Sequence, residues 1–314
     1  VKNILISLHR GYGLGDAVQM SAVLRHVAKY RPDWIVDYQA EEGQHCVGRG
    51  IVASTYEYGK NPNPNKVYDA EVLICLYDTW ANWGYKPTTR VSSCLHEQFD
   101  LEWDAECGRY MVNVSAPATM KARDMLRGMW EFSGMYKSAY EPRWVAVHYK
   151  GDSSPGKKNL SDEQADQICN RILEYDSVPV VLDWRNTSPL AKRDDVHTTG
   201  KFWYSREWGV SAEMQCATIR QCKAFVGIDS GPSKCASSTD TPALVIWTGH
   251  HPAQFHDPAP NTTHLVPVGY HGLEPVCNDA GVIQWFEEHY NVRTYVRDPV
   301  SEVEKWLKET LRQN

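Results

Sequence analysis

The chain has 314 residues, 42% of them apolar, and a formal net charge of −6. That length exceeds what one hydrophobic core usually serves, so two domains are expected; the apolar share suffices for globular folding, and the acidic balance excludes a global basic field that would draw the protein to nucleic acid. Nine cysteines, an odd number, stand singly without Cys-x-x-Cys zinc spacing, which points to reduced thiols in a cytosol rather than to a disulfide framework.

No charged segment followed by a long apolar core precedes the first apolar run, so the sequence reads as cytoplasmic, with no membrane span. Lys2–Leu8 is a buried first strand. It runs into a glycine-rich loop, His9 to Asp16, that holds Gly11, Gly13 and Gly15. Residues 17–30 follow as an amphipathic helix with Val18, Ala22, Leu24 and Val27 among its apolar positions, ended by Arg31-Pro32. Residues 34–38 form a second strand. The opening is Rossmann-like, and Asp37 falls near the place of a ribose-binding acid. The glycines argue against a dinucleotide, because they alternate and Asp16 stands where the third glycine of the fingerprint is required. Asp16 itself suits a helix start, where acids are favoured, and equally a general base beside a backbone gap.

Residues 41–70 are rich in Gly, Asn, Pro and Tyr and read as loop with a short strand; residues 71–76 are another apolar run. Trp80, Trp83 and Tyr85 sit in a polar, irregular context, where aromatics are candidates to stack on a sugar as well as to pack. Residues 90–97 and 119–132 read as helices, and the polar stretch 133–142 as a linker. A second α/β series begins with a strand at 144–148, followed by a loop carrying Lys150, Lys157 and Lys158. Three lysines after a strand end can neutralise phosphate or simply be solvated, and the spacing is not that of a P-loop. Ser161 and Gln164 open a helix in capping-box style. Residues 178–182 are a strand ending at Asp183, and 211–222 a helix.

The most informative stretch is 224–247. An apolar run, Ala224–Ile228, is followed by Asp229-Ser230-Gly231-Pro232, a run of small residues and a second apolar run at 243–247. Pro232 suits the first helical position, Ser230 or Asp229 can cap, and Gly231 lets backbone come close to a ligand. A helix start at the carboxyl end of a strand suits a phosphate or diphosphate; the same pattern also describes an ordinary capped helix. The loop that follows, 248–260, holds His250, His251 and His256, whose spacing matches no known metal-ligand pattern, so no metal is expected. Residues 281–290 and 299–311 are helices, the last amphipathic through Val303, Trp306, Leu307 and Leu311.

Gly13-Leu14-Gly15-Asp16 after the first strand, with a helix running on to Leu24-Arg25, resembles the N-terminal signature of the heptosyltransferase-like glycosyltransferases, glycosyltransferase family 9. Val226-Gly227-Ile228-Asp229-Ser230-Gly231, with Ala236 and Pro242 beyond it, resembles that family's donor-site signature. The resemblance implies an α/β protein of GT-B fold: two Rossmann-like domains facing across a cleft, the first (1–135) for the acceptor and the second (143–314) for the nucleotide-sugar, with the last helix free to pack back on the first domain. It implies inverting transfer from a nucleoside-diphosphate sugar to an acceptor hydroxyl, with neither metal nor cofactor. Asp16 would be the general base. Ser230 and Gly231, with Asp229, Lys157, Lys158 and Lys234, would hold the donor diphosphate, and Asp183 the ribose. Gly13 and Gly15 would face the acceptor, and Trp80 and Trp83 are added as acceptor candidates from their own irregular context. Lys234 departs from the family, which often has His there, and 41–115 matches no assignable pattern. The acceptor is expected to be a glycan, a lipid-linked glycan (implying peripheral membrane contact) or another hydroxyl compound; the acidic charge disfavours nucleic acid. A nucleotide-sugar epimerase, a fucosyltransferase-like enzyme and a non-catalytic nucleotide- or glycan-binding module are the alternatives.

Overall fold

The computed structural model describes residues 1–61, 63–76, 89–132, 142–183, 185, 187–201, 211–274 and 280–312. Trp80, Trp83, Tyr85 and nearly all of the expected linker lie outside them. The first half is built on a parallel sheet of β1 (Lys2–Leu8), β2 (Trp34–Ala40), β3 (Ser54–Glu57) and β4 (Ala70–Ile74), in the order β3-β2-β1-β4. Its helices are α1 (Leu14–Tyr30), α2 (Arg90–Phe99), α3 (Ala105–Gly108) and α4 (Ala116–Phe132).

The second half carries a parallel sheet of seven strands: β5 (Arg143–His148), β6 (Ser177–Val181), β7 (His197–Thr198), β8 (Ala224–Ile228), β9 (Ala243–Ile246), β10 (Thr262–Pro267) and β11 (Asn291–Tyr295). Their order is β11-β10-β9-β8-β5-β6-β7. Its helices are α5 (Pro155–Lys158), α6 (Asp162–Leu173), α7 (Ala212–Arg220), α8 (Gly231–Ser237), α9 (Pro252–Phe255), α10 (Ala280–His289) and α11 (Val300–Arg312).

Strand alternation sorts the second core. Trp144, Ala146, Val178, Val180 and Phe225 face one side and join the cluster of the first half, with residues of α1, α4, α7 and α8. Val145, Val147, Val181, Val226 and Ile228 face the other and meet α6 and α11. With both faces covered, these strands read as unbroken apolar runs in the sequence. The last helix rests on α6 and the second sheet, with Val303, Trp306, Leu307 and Leu311 buried there.

The amphipathic reading of α1 is corrected. Residues 17–24 of the helix are buried without a break, as are His26 and Val27, because it lies between its own sheet and helices of the second half, and its exposed residues gather in the last turn; a helix covered along most of its length shows little polar face. Both sheets also reverse strand order beside their first strand, β1 in one and β5 in the other. Crevices form at the carboxyl ends of strands at such points. Among the described residues, no helix is long and apolar enough to cross a membrane.

Candidate active site

The two crevices open into one cleft of about 690 Å³. The first half contributes the loop after β1 (Gly11, Gly13, Gly15, Asp16), Glu41, Glu42 and Arg90; the second contributes His148, Lys158, Asp229, Ser230, Gly231, Lys234, His250 and Phe255. The two motifs read in the sequence therefore face the same space.

Gly13 is the N-cap of α1. Its N–H donates to the Asp16 carboxylate (Oδ2, 3.1 Å), so the acid three residues on closes the helix start. The other Asp16 oxygen accepts from Arg90 Nη1 at 3.0 Å. Arg90 is buried, and its guanidinium lies 4.1 Å from the centre of the Phe255 ring. Gly15 has a role other than facing a ligand: a Cβ there would stand 3.2 Å from Lys234 Cδ and 3.3 Å from Gly231 Cα. A Cβ on Gly231 would fall 2.9 Å from Leu14 Cβ and 3.1 Å from Gly15 N. The two signature glycines are the point at which α1 and α8 touch.

The donor-side residues differ in what they do. Ser230 is the N-cap of α8, as expected, and the reciprocal bond of its cap comes from Ser233. Ser230 Oγ meets His148 Nδ1 at 3.0 Å and donates to the Ile228 carbonyl at 3.1 Å, while Ser233 Oγ accepts the Ser230 N–H at 3.1 Å. Asp229 is buried and takes Lys234 Nζ on one oxygen and His250 Nδ1 on the other, both at 2.9 Å. Burial pushes its carboxyl up, but Lys234, His250 and Lys158 together outweigh burial and hold it well below the usual carboxylate range. Lys158 is buried, bonds Ser153 Oγ at 2.7 Å and has its ammonium pKa lowered, chiefly by desolvation. His148 is driven down to about 3 by burial, then by Lys158, so its imidazole is neutral.

Of the lysine pair, Lys158 lines the cleft, whereas Lys157 is exposed and paired with Glu274 at 2.6 Å. Asp183 lines an adjoining pocket of about 280 Å³ with Tyr149, Asn159, Arg185 and Ser188. Its oxygens accept the backbone N–H groups of Ser188 (2.6 Å) and Arg185 (3.2 Å), so it also staples its own loop. Asp37, beside the place of a ribose acid, is buried in β2 and held by Lys66 and Tyr68 at 2.7 Å each. Sequence reading missed Arg90, His148 and Phe255, which no local pattern marks, and saw His250 only as a metal candidate. Among the described residues, no group of three or more His, Cys, Asp or Glu side chains is placed to hold a metal ion.

Two α/β units, each on a parallel sheet, with their strand-end crevices opening on a common cleft, define the GT-B class of fold. Solved structures similar to it are glycosyltransferases. A family 9 glycosyltransferase from Veillonella parvula DSM 2008 matches at a TM-score of 0.63 and 12% identity, over 100% of this chain and 98% of its own. The E. coli ADP-heptose lps heptosyltransferase II matches at 0.60 and 12%, over 100% and 99%. TibC, an iron-containing dodecameric glycosyltransferase from enterotoxigenic E. coli H10407, matches at 0.60 and 12%, over 100% and 80%. No protein-family model matches the sequence, and no curated protein does. The likeness is one of fold, and it is the fold that the two motifs led us to expect.

Proposed function

We propose that this chain is an inverting glycosyltransferase that uses a nucleoside-diphosphate sugar and an acceptor hydroxyl, with Asp16 as general base. One observation carries the reading: a cleft between the halves places a first-half carboxylate opposite a second-half cluster of Lys158, Lys234 and His250. A sugar hydroxyl is a poor nucleophile, and a carboxylate that takes its proton supplies about 10²–10⁴ in rate. The acceptor oxygen then bonds to the anomeric carbon on the face opposite the diphosphate. The bond to the diphosphate oxygen breaks, and its electron pair leaves with the nucleoside diphosphate. That growing negative charge meets Lys158 and Lys234, which line the cleft and are already desolvated. One similar structure, TibC, was solved with ADP-D-beta-D-heptose, which supports a nucleotide-sugar donor here. The adjoining pocket at Tyr149, Asp183 and Ser188 is the space for the nucleoside, and Arg90 orients the base. No cofactor or metal takes part in these steps. The acceptor is a glycan, a lipid-linked glycan or another hydroxyl compound.

The test is thermal-shift and calorimetric screening with ADP, GDP, UDP and CDP, followed by turnover of the matching nucleotide-sugars. The expected result is one nucleoside diphosphate bound and an Asp16→Asn variant that binds it as the wild type does but loses turnover. Stabilisation by none of the four, or full turnover in Asp16→Asn, overturns the assignment.

A further inference from the structure

The base stands on one half and the leaving-group cations on the other, so their register matters. Asp16 is held by Arg90. Arg90 is the first residue of α2, whose N-cap is Thr89: its Oγ1 accepts the Ser92 N–H at 3.1 Å. Two contacts reach across to Arg90 and its helix cap from the second half. The Phe255 ring lies under its guanidinium. Two residues past the end of α9, Asp257 accepts the Thr89 hydroxyl on Oδ1 at 2.7 Å. Its Oδ2 accepts the Tyr110 hydroxyl at 2.9 Å, and its own N–H donates to that same hydroxyl oxygen at 2.8 Å. Thr89 and Asp257 are both fully enclosed, and Tyr110 nearly so.

A carboxylate buried among hydroxyls is a costly way to join two halves, since apolar side chains of similar volume would serve stability as well or better. What it adds is direction. Both oxygens take first-half donors, and one of those donors is the cap that sets the first turn of α2.

We propose that Asp257 is a positioning residue for the base: through Thr89 it fixes the first turn of α2 and thereby holds Arg90 against Asp16. This rests on the glycosyl-transfer reading above. It means that the hold of Arg90 on the base depends on the two halves being docked, so a chain with its halves parted keeps the donor cations and the Gly13 N–H bond to Asp16 but loosens Arg90.

The experiment compares Asp257→Ala, Asp257→Asn, Thr89→Val and Arg90→Ala in the full chain. It measures Kd for the nucleoside diphosphate that stabilises the wild type, together with kcat and KM for its sugar. Asp257→Ala and Thr89→Val are each expected to lower kcat about 10- to 100-fold, as small misplacements of reacting groups do, with Kd within about twofold. Asp257→Asn keeps an acceptor for Thr89 and restores kcat to within about threefold. The double variant Asp257→Ala/Arg90→Ala is expected to be no slower than the worse of its two parents, because both act through one link. Additive losses, a matching loss of Kd and kcat, or unchanged kcat in Thr89→Val would each overturn the proposal. Should Asp257→Ala not fold, Thr89→Val and Asp257→Asn decide it. Failure of the wild type to bind any nucleoside diphosphate would instead undo the reading on which the proposal rests.

Discussion

Lys234 is the residue that fits the family pattern least, and its removal separates two roles that the structure superimposes. Its ammonium pairs with Asp229 at 2.9 Å, both side chains being less than a tenth exposed, and it also lines the cleft. Lys234→Met leaves Asp229 enclosed, with His250 as its nearest remaining partner. Breaking a buried pair on one side costs about 3–5 kcal/mol, a large part of an ordinary domain's stability. Lys234→Met/Asp229→Asn removes both charges and leaves an amide able to bond His250, so urea or thermal unfolding should recover most of that loss. Nucleoside-diphosphate affinity should not recover. A charge-assisted hydrogen bond is worth about 1.5–3 kcal/mol, or roughly 10- to 100-fold in Kd, and the double variant lacks the cation. Asp229→Asn alone should retain affinity, since it frees the ammonium for phosphate. Two outcomes refute this reasoning. If affinity returns together with stability in the double variant, Lys234 is only a counter-ion. If Lys234→Met unfolds at the wild-type midpoint, the pair does not carry the stability assigned to it.

Gly231→Ala should destabilise: its Cβ meets Leu14 Cβ at 2.9 Å and the backbone nitrogen of Gly15 at 3.1 Å, an overpacking of about 1–3 kcal/mol against at most about 1 kcal/mol of helix preference regained; a higher melting temperature would count against the helix contact. Lys157→Ala should leave stability within about 0.5 kcal/mol, because its pair with Glu274 is exposed, and should leave nucleotide binding intact, whereas Lys158→Ala should weaken binding; equal losses would contradict the division between them. Stability should fall as pH is lowered from about 6.5 toward 4. Burial lowers His148 to about 3 (aided by Lys158), His251 to about 4 and His256 to about 3 (aided by Lys234), so the unfolded chain binds more protons there and the stability present above the unfolded value is lost through that window. Asp257, pushed up to about 6 by burial against the pull of Thr89, Tyr110 and Lys234, gains stability in the opposite direction between about 6 and 4, but three histidine shifts outweigh one carboxyl. Urea midpoints at pH 5 and 7.5 check this, and a flat or inverted profile would refute it.

The strands that were legible are those whose apolar runs are bracketed by turn residues: Lys2–Leu8 before its glycines, 144–148 before its lysine loop, and Ala224–Ile228 before Asp229 all stand where expected. β10 and β11 escaped, since Thr262–Pro267 opens on two threonines and a histidine, and Asn291–Tyr295, at the sheet edge, is partly exposed. Asp16, Lys158 and Lys234, singled out in the sequence, line the cleft, because each lies in or close to the turn that follows a strand end. Arg90 was not singled out. It reaches the cleft because β4 adds on the other side of β1 from β2, and no local spacing reports which edge a strand joins. Ser230 was legible as the N-cap of α8, but the side-chain partners of Asp229 and Ser230 were not. Their partners, Lys234, His250 and His148, are respectively 5, 21 and 82 residues away, and a cap is the reading that a local window permits.

The glycines of the two motifs show why such motifs come as a pair. Read singly, each marks a loop in which backbone approaches a ligand. In the fold Gly15 and Gly231 approach each other, and the missing Cβ atoms let α1 and α8 cross closely enough for the stem of Lys234 to lie on Gly15. That crossing carries the carboxylate of one motif on Asp16 and the cation of the other on Lys234, one residue and three residues beyond the contact. In the proposed reaction, the distance between base and leaving-group cation is therefore set by backbone packing rather than by the reach of flexible side chains. A side chain larger than hydrogen at either glycine would lever the two helices apart, so under the proposed reaction the glycines act through the helices they bring together.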